Sequence, residues 1–468
     1  MDAFTPAVEV AAAVRRRQVS PVELLEGCLE RVDRLNPAVN AVVWRNDEEA
    51  RAEAKALADQ IAKGTEELPP FAGVPLPVKD LTPVAGWPVT YGSCVAPEGP
   101  SDEGELVVEA LRRAGFLLTA RTNTPEFGPI TVTENRRYGV SRNPWDTERT
   151  PGGSSGGAAA AVASGMFPLA HGNDGGGSLR VPASCCGLVG LKASRGRVPA
   201  RVTGWMGCTV EGVITRTVTD AAAVLDVISG PDPACWFNTP PPDRPFVSEV
   251  GADPGRLRVG LLTRAPLDLP VADEPRRAVE AAGALLEGLG HHVEAVDFEL
   301  FPVEILGPFL TIVNAGLADY VGIDFAKAEP HIAAQYEAAQ AENSFALARA
   351  MGDLQRHTRT SVARWGRDFD VLVTPTMAIE PPIAGAVLEE THAGAGAPAA
   401  DVVAMAVFNA PFNVTGQPGL SLPLHFTPSD IPIGVQLVAG PWQEGLLLRL
   451  AAQLEEAAPW AARRPPIH

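Results

Sequence analysis

What this chain of 468 residues lacks narrows its chemistry before any motif is read. No stretch reaches the ~18 consecutive apolar residues of a membrane span, so no membrane partner is expected. Clustered positive charge is missing too: 38 Lys and Arg stand against 56 Asp and Glu, a formal net charge of −18. Binding a phosphate backbone needs grouped Lys and Arg, so nucleic acid is not an expected partner. The one basic run near the N-terminus, Arg15 to Arg17, falls on an amphipathic helical stretch and reads as a solvated face. Cysteine is scarce, and the six present (Cys28, Cys94, Cys185, Cys186, Cys208, Cys235) show no CxxC and no regular spacing. They read as buried free thiols in a reducing cytosol, which makes cytoplasmic the expected location. Neither HExxH nor paired Cys/His spacing occurs, so no metal is expected, and no cofactor is called for. The opening MDAFTPAVEVAAAVRRRQ carries its basic charges after the apolar part and includes Glu9, the wrong order for a secretory signal.

What is present is an ordinary globular composition: 46% hydrophobic, 20% charged, with 45 Gly and 44 Pro spread along the chain as loops. A chain this long buries most of its apolar surface without staples. Ser20, Pro21 and Glu23 form a capping box, predicting a helix that stops before Asn36 and Pro37. A second helix spans 47–63 and ends at Gly64. Residues 71–81 (FAGVPLPVKDL) read as a buried strand with a functional end, followed by helix 104–114, strand 116–122 and a loop-rich stretch over 122–157. Then come helix 158–164, strand 168–171, helix 218–229, strand 257–262, helix 275–289 and strand 292–298. Strands 371–374 and 433–439 and helix 442–457 close the series. This alternation predicts an α/β fold, a mixed and mostly parallel twisted sheet covered by helices on both faces. The segment 231–256 reads as a surface connection and 388–400 as a second, mobile one; neither marks a boundary, and the chain reads as one large domain.

The informative run is 150–182, TPGGSSGGAAAAVASGMFPLAHGNDGGGSLRVP. Its glycines flank a helix and a strand, so they belong to a core and not to a linker. GxxxxGK[ST] is absent, and no strand–Gly–helix unit supports a dinucleotide site. Three consecutive glycines let successive N–H groups converge on one point, and Ser178 at their end would meet a carbonyl with donors already aimed at the developing oxyanion. Such a site needs a base. His171 lies on the strand leading into the loop and reads as a packed residue; no GxSxG elbow is present. Lys79, after the apolar PLPV, can serve if desolvation keeps it neutral, the alternative being an exposed lysine paired with Asp80.

Lys79, Ser154 and Ser178, in PLPVKD, PGGSSGG and GNDGGGSLRVPASCCGLVGLK, resemble the amidase signature family. The two serines lie 24 residues apart (154 to 178), the interval that family keeps, and RTNTPEF, GVITRTVTDAA, VLVTPT, FNVTGQPGLSLP and PIGVQLVAG follow in family order. The resemblance implies one domain over 1–468: a helical lead at 1–65, a catalytic core at 66–440, and a C-terminal helix and tail at 441–468. It implies Ser178 as nucleophile, Ser154 after a cis bond from Gly153 as proton relay, and Lys79 as base. The N–H groups of Gly175, Gly176, Gly177 and Ser178 would form the oxyanion hole, and Ser155, Asp174 and Arg180 would shape the loops around them. Asn173 and Gly175 depart from the family's usual Thr or Ser and branched residue. The GNDGGGS variant is most similar to the branch holding 6-aminohexanoate cyclic dimer hydrolases, aryl acylamidases and urethanases.

For substrate, the resemblance places Phe127, Gly128, Pro129 and Ile130 beside the acyl group, with the loop 201–211 and a helix at 305–322 as further walls, apolar through Trp205, Met206, Phe309 and Leu310. Such walls favour a small-molecule aryl or alkyl amide, or a carbamate. The expected assembly is a monomer or homodimer. Two other functions share the motifs: an amidotransferase A subunit feeding ammonia to a partner that acts on charged tRNA, and a silent binding protein on the same scaffold.

Overall fold

The computed structural model describes residues 1–64, 67–97, 99–393 and 399–468. A small sheet near the N-terminus holds β1 (Val42–Arg45), β2 (Pro75–Lys79) and β3 (Leu117–Thr122), with β3 central, antiparallel to β1 and parallel to β2. The large sheet contains β4 (Ala170–Asp174), β5 (Val189–Lys192), β6 (Val210–Thr215), β7 (Arg258–Leu261), β8 (His292–Ala295), β9 (Val371–Pro375), β10 (Gly419–Phe426) and β11 (Pro432–Ala439). Its order is β8-β7-β9-β11-β10-β5-β6-β4.

The sheet is mixed, and its strand directions sharpen the expectation. Parallel neighbours are confined to β8, β7 and β9. From β9 to β4 every pair is antiparallel, although β10 and β6 point the same way as the parallel trio. Connection length explains the difference. Helix Asp273–Gly288 gives the chain room to cross over between β7 and β8, whereas β10 turns straight back into β11.

Both faces are covered. Val371 and Val373 of β9 enter one apolar cluster while Leu372 between them enters another, and Leu437 and Val438 of β11 part in the same way. Helices Val218–Ile228, Asp273–Gly288 and Glu444–Ala457 pack on the first face. On the other side lie Gly156–Ala163, Arg180–Cys186 and Ala410–Thr415.

Local signals account for most boundaries. The Ser20 hydroxyl accepts from Val22 N–H while Glu23 accepts from Ser20 N–H, and Gly64 closes helix Asp47–Lys63 with φ +74°. The first of these helices runs on through Pro37 to Val39, where Asn40 ends it in the left-handed region. The Asn36 side chain, expected to stop it, instead accepts from the N–H groups of Ala41 and Val42 and so ties the helix to β1. Strands β5, β6 and β10 and helices Pro330–Ala341 and Ser344–Val362 were not expected. Within 231–256 the only regular element is the short 3-10 turn Phe246–Glu249. Of the segment 388–400, the first part belongs to helix Ala386–Ala393, and 394–398 lie outside the described residues. Arg15, Arg16 and Arg17 are exposed, as expected. The six thiols are free, but Cys94 is exposed and Cys235 half-buried, against the expectation that all are buried.

Candidate active site

Lys79 is the last residue of β2, a strand buried along its whole length, and β2 lies against β4 of the large sheet. That junction brings together residues far apart in sequence. Lys79 Nζ is 2.7 Å from Ser154 Oγ and 2.7 Å from Asn173 Oδ1. Ser154 Oγ in turn lies 3.0 Å from Ser178 Oγ. The Gly153–Ser154 peptide is cis. Gly153 has no alternative: an added Cβ would fall 2.3 Å from the Val132 carbonyl oxygen. Ser155, next along, precedes helix Gly156–Ala163 and, making no side-chain cap to it, donates through Oγ to the Asn173 carbonyl at 3.2 Å.

Burial pushes the Lys79 ammonium down to about 7, with Glu211 and Asp174 opposing it. A lysine in that range is neutral for a large part of the time at neutral pH and can accept a proton.

Asp174 ends β4 and organises the glycine loop. Its carboxylate accepts from Gly177 N–H at 2.8 Å and Leu179 N–H at 3.2 Å, and Arg180 donates to both of its oxygens at 2.9 Å. Burial alone would raise Asp174, but the Arg180 guanidinium overrides this and holds it well below the usual carboxylate range. Arg180 also donates to Gln436 Oε1 and Asn413 Oδ1, each at 2.6 Å, so the pair is buried with its donors satisfied. Gly177 N–H, expected among the oxyanion donors, is instead turned to Asp174. Gly177 itself sits at φ +128° with Asn409 against it, a position only glycine fills.

Ser178 opens onto a cavity of about 270 Å³ lined by Ser154, Asn173 and Gly175 on the side of that contact chain. Its walls come from Tyr91, Phe127, Gly128, Trp205 and Tyr320, with the carboxylates of Glu105, Glu211 and Asp319 among them. Both expected wall segments, 201–211 and 305–322, line the cavity, and of the residues named in advance Phe127, Gly128 and Trp205 do so while Pro129, Ile130, Met206, Phe309 and Leu310 do not. The chain turns at Phe127 (φ +53°) and Gly128 (φ +79°), which carries Pro129 away and sends Ile130 into the core with Val132 and Ala158. A similar turn at Trp205 and Met206 points the indole inward and leaves Met206 37% exposed. Phe309 packs edge-on behind Trp205, and Leu310 is exposed. The cavity is also less apolar than expected.

Glu211 ends the wall loop expected to be apolar, and its polar contacts were not foreseen. It stands on β6 directly opposite Asn173 in register, 2.8 Å from His171 Nε2 and 3.4 Å from Asn173 Nδ2. The signal available was a carboxylate interrupting the apolar run VEGVIT. His171, as expected, is a packed residue. Among the described residues no group of three or more His, Cys, Asp or Glu is arranged to hold a metal, and no helix is long and apolar enough to cross a membrane.

The α/β fold thus buries a lysine and two serines in one hydrogen-bonded chain beneath a cavity. Residues 23–448 match the Amidase family. The chain is 37% identical to the 6-aminohexanoate-cyclic-dimer hydrolase of Pseudomonas sp. (strain NK87), covering 100% of this chain and 97% of that protein. It is 34% identical to an acylamidase of Rhodococcus erythropolis, over 98% of this chain and 96% of that one. The solved structure of a 6-aminohexanoate cyclic dimer hydrolase complexed with substrate superposes with a TM-score of 0.93 at 36% identity, covering 100% of both chains. The chain belongs to the amidase signature family and is an amide-bond hydrolase.

Proposed function

We propose that the chain hydrolyses small-molecule aryl or alkyl amides, carbamates included, with Ser178 as nucleophile, Ser154 as proton relay and Lys79 as base. The observation that carries this reading is the contact chain from Lys79 Nζ through Ser154 Oγ to Ser178 Oγ, ending at the cavity. Neutral Lys79 takes the Ser178 proton through Ser154 as Ser178 Oγ attacks the carbonyl carbon. The tetrahedral oxyanion faces the N–H groups of Gly175, Gly176 and Ser178. Collapse breaks the C–N bond, and Lys79 returns the proton through Ser154 to the leaving amine. Water then cleaves the acyl-enzyme by the same route. With a carbamate the acyl half leaves as a carbonate monoester.

The wall supports the substrate class. Tyr91, Phe127, Trp205 and Tyr320 offer flat apolar surface, while three carboxylates disfavour an anionic substrate. The reading takes residues 1–468 as one amidase domain working in the cytoplasm as a monomer or homodimer. Its test is hydrolysis of an aryl acetamide, an aryl carbamate, an aliphatic amide and glutamine by wild type, Ser178→Ala and Lys79→Ala. Aryl amide or carbamate turnover that disappears in both variants supports it. Turnover of glutamine alone points to an amidotransferase subunit, inertness on all four to a binding protein, and full activity of Ser178→Ala refutes the assignment.

A further inference from the structure

Asn173 is one of the loop's departures from the family pattern, and its side chain stands between Lys79 and Glu211. On one side Lys79 Nζ lies 2.7 Å from Oδ1; on the other Glu211 Oε1 lies 3.4 Å from Nδ2. A carboxylate can only accept, so the amide turns its NH2 to Glu211 and its carbonyl to Lys79, which can donate to it in either protonation state. Glu211 is itself fixed by His171 Nε2–H, which donates to Oε2 at 2.8 Å, and by Thr82 Oγ1 at 3.5 Å. Register pairing of Asn173 with Glu211 across β4 and β6 builds this arrangement into the backbone.

We propose that Glu211 is a positioning residue for the base: it locks the Asn173 amide so that Lys79 spends a hydrogen on Oδ1 and turns its lone pair to Ser154, and its charge steadies the lysine's protonated form. The inference rests on the proposed role of Lys79. Among the described residues the fully buried Lys79 has these two side-chain partners, and an amide turned the other way would set its oxygen against the Glu211 carboxylate. The charges facing Lys79 are Glu211 and Asp174, the latter neutralised by Arg180. Asp80, its chain neighbour, turns away to the N–H groups of Thr90 and Gly92 with Arg121 beside it. Around Glu211 stand His171, Glu105 and Tyr320.

The test is the pH dependence of kcat/KM on an uncharged aryl acetamide for wild type, Glu211→Gln and Glu211→Asp. Removing a carboxylate that favours the ammonium lowers the lysine's pKa. The acid limb of Glu211→Gln therefore moves to lower pH by about one unit, with KM little changed and a lower plateau from the unlocked amide. Glu211→Asp keeps the charge and leaves the limb at its wild-type position. A limb that stays put in Glu211→Gln overturns the proposal. So does a loss confined to KM, which would make Glu211 a substrate contact. Should Glu211→Gln fail to fold, Asn173→Ala gives the second reading: its limb must move as well, because Lys79 loses the oriented acceptor. A wild-type profile with no limb assignable to Lys79 sinks the role of the base itself, a separate failure.

Discussion

Gly175 lets the active-site wall be tested by a single methyl group. A Cβ added there would fall 2.8 Å from both Cε3 and Cζ3 of Trp205 and 2.9 Å from Thr209 Cγ2. Ordinary carbon contacts are about 3.5–4.0 Å, so roughly 1 Å must be found. The indole has little room to retreat, because its Cδ1 edge already presses on Gly316, where a Cβ would come within 2.4 Å. The strain therefore falls on the oxyanion loop. Overpacking of this size costs about 1–3 kcal/mol of stability. Moving the Gly175 and Gly176 N–H groups by a similar distance lowers kcat/KM by about 10- to 100-fold. Backbone strain adds nothing, since Gly175 does not have a positive φ. The assay is a double-mutant cycle on aryl acetamide hydrolysis: wild type, Gly175→Ala, Trp205→Ala and the double variant. With the indole gone the methyl has space, and the two substitutions should couple by about 1 kcal/mol or more. Strictly additive losses, or a Gly175→Ala enzyme with wild-type kcat/KM, would refute this account of the loop.

Lys79, held near 7 by burial, must be neutral to act, so kcat/KM rises tenfold per pH unit below that value and levels above it; a flat profile from about pH 5 to 9 counts against it, and Lys79→Ala should lose about 10²–10⁴-fold. Arg180→Ala strands a buried carboxylate at Asp174 and should cost about 3–5 kcal/mol in denaturant unfolding. Wild-type stability in that variant would show the pair to be dispensable. Glu455 is raised by burial from 4.5 to about 7, and Asp220, which accepts from Ala7 and Val8 N–H, from 3.8 to about 6. The folded chain holds these protons more tightly than the unfolded one. Their contribution is complete below about pH 4 and is lost as pH climbs toward 7. The unfolding midpoint of wild type should therefore fall over that window more steeply than that of Glu455→Gln, and equal slopes would contradict it.

The parts of this molecule that were legible in the sequence are those governed by local rules. The capping box at Ser20, the glycine after Lys63, the buried end of PLPVK and the glycine-flanked serines each state their structure within a few residues. Strands β5 and β6 were hidden because each is short and carries a glycine, so their place depends on neighbours in the sheet. The wall of the cavity was least visible. Tyr91, Phe127, Trp205, Glu211 and Tyr320 meet only after the sheet and its loops have assembled. At Trp205 and Met206 a left-handed turn, written in no obvious turn residue, decides which side chain faces inward. Glu211 could have been suspected from its place in an apolar strand, but its partner could not.

The helix Gly156–Ala163, sequence GGAAAAVA, is buried at every position, and its first two residues touch neighbouring chain so closely that a Cβ on Gly156 or Gly157 would fall within 2.4–2.5 Å of Thr133 or Asn123. It carries no chemistry and offers no side chain long enough to adjust. This divides the protein into a part that can change and a part that cannot. Libraries aimed at 201–206 or 316–322 would return folded enzymes with new substrate ranges, whereas the same mutational load on this helix would return mostly insoluble protein. A lineage on this scaffold can alter what it cleaves by rewriting distant loops while inheriting its reactive centre untouched.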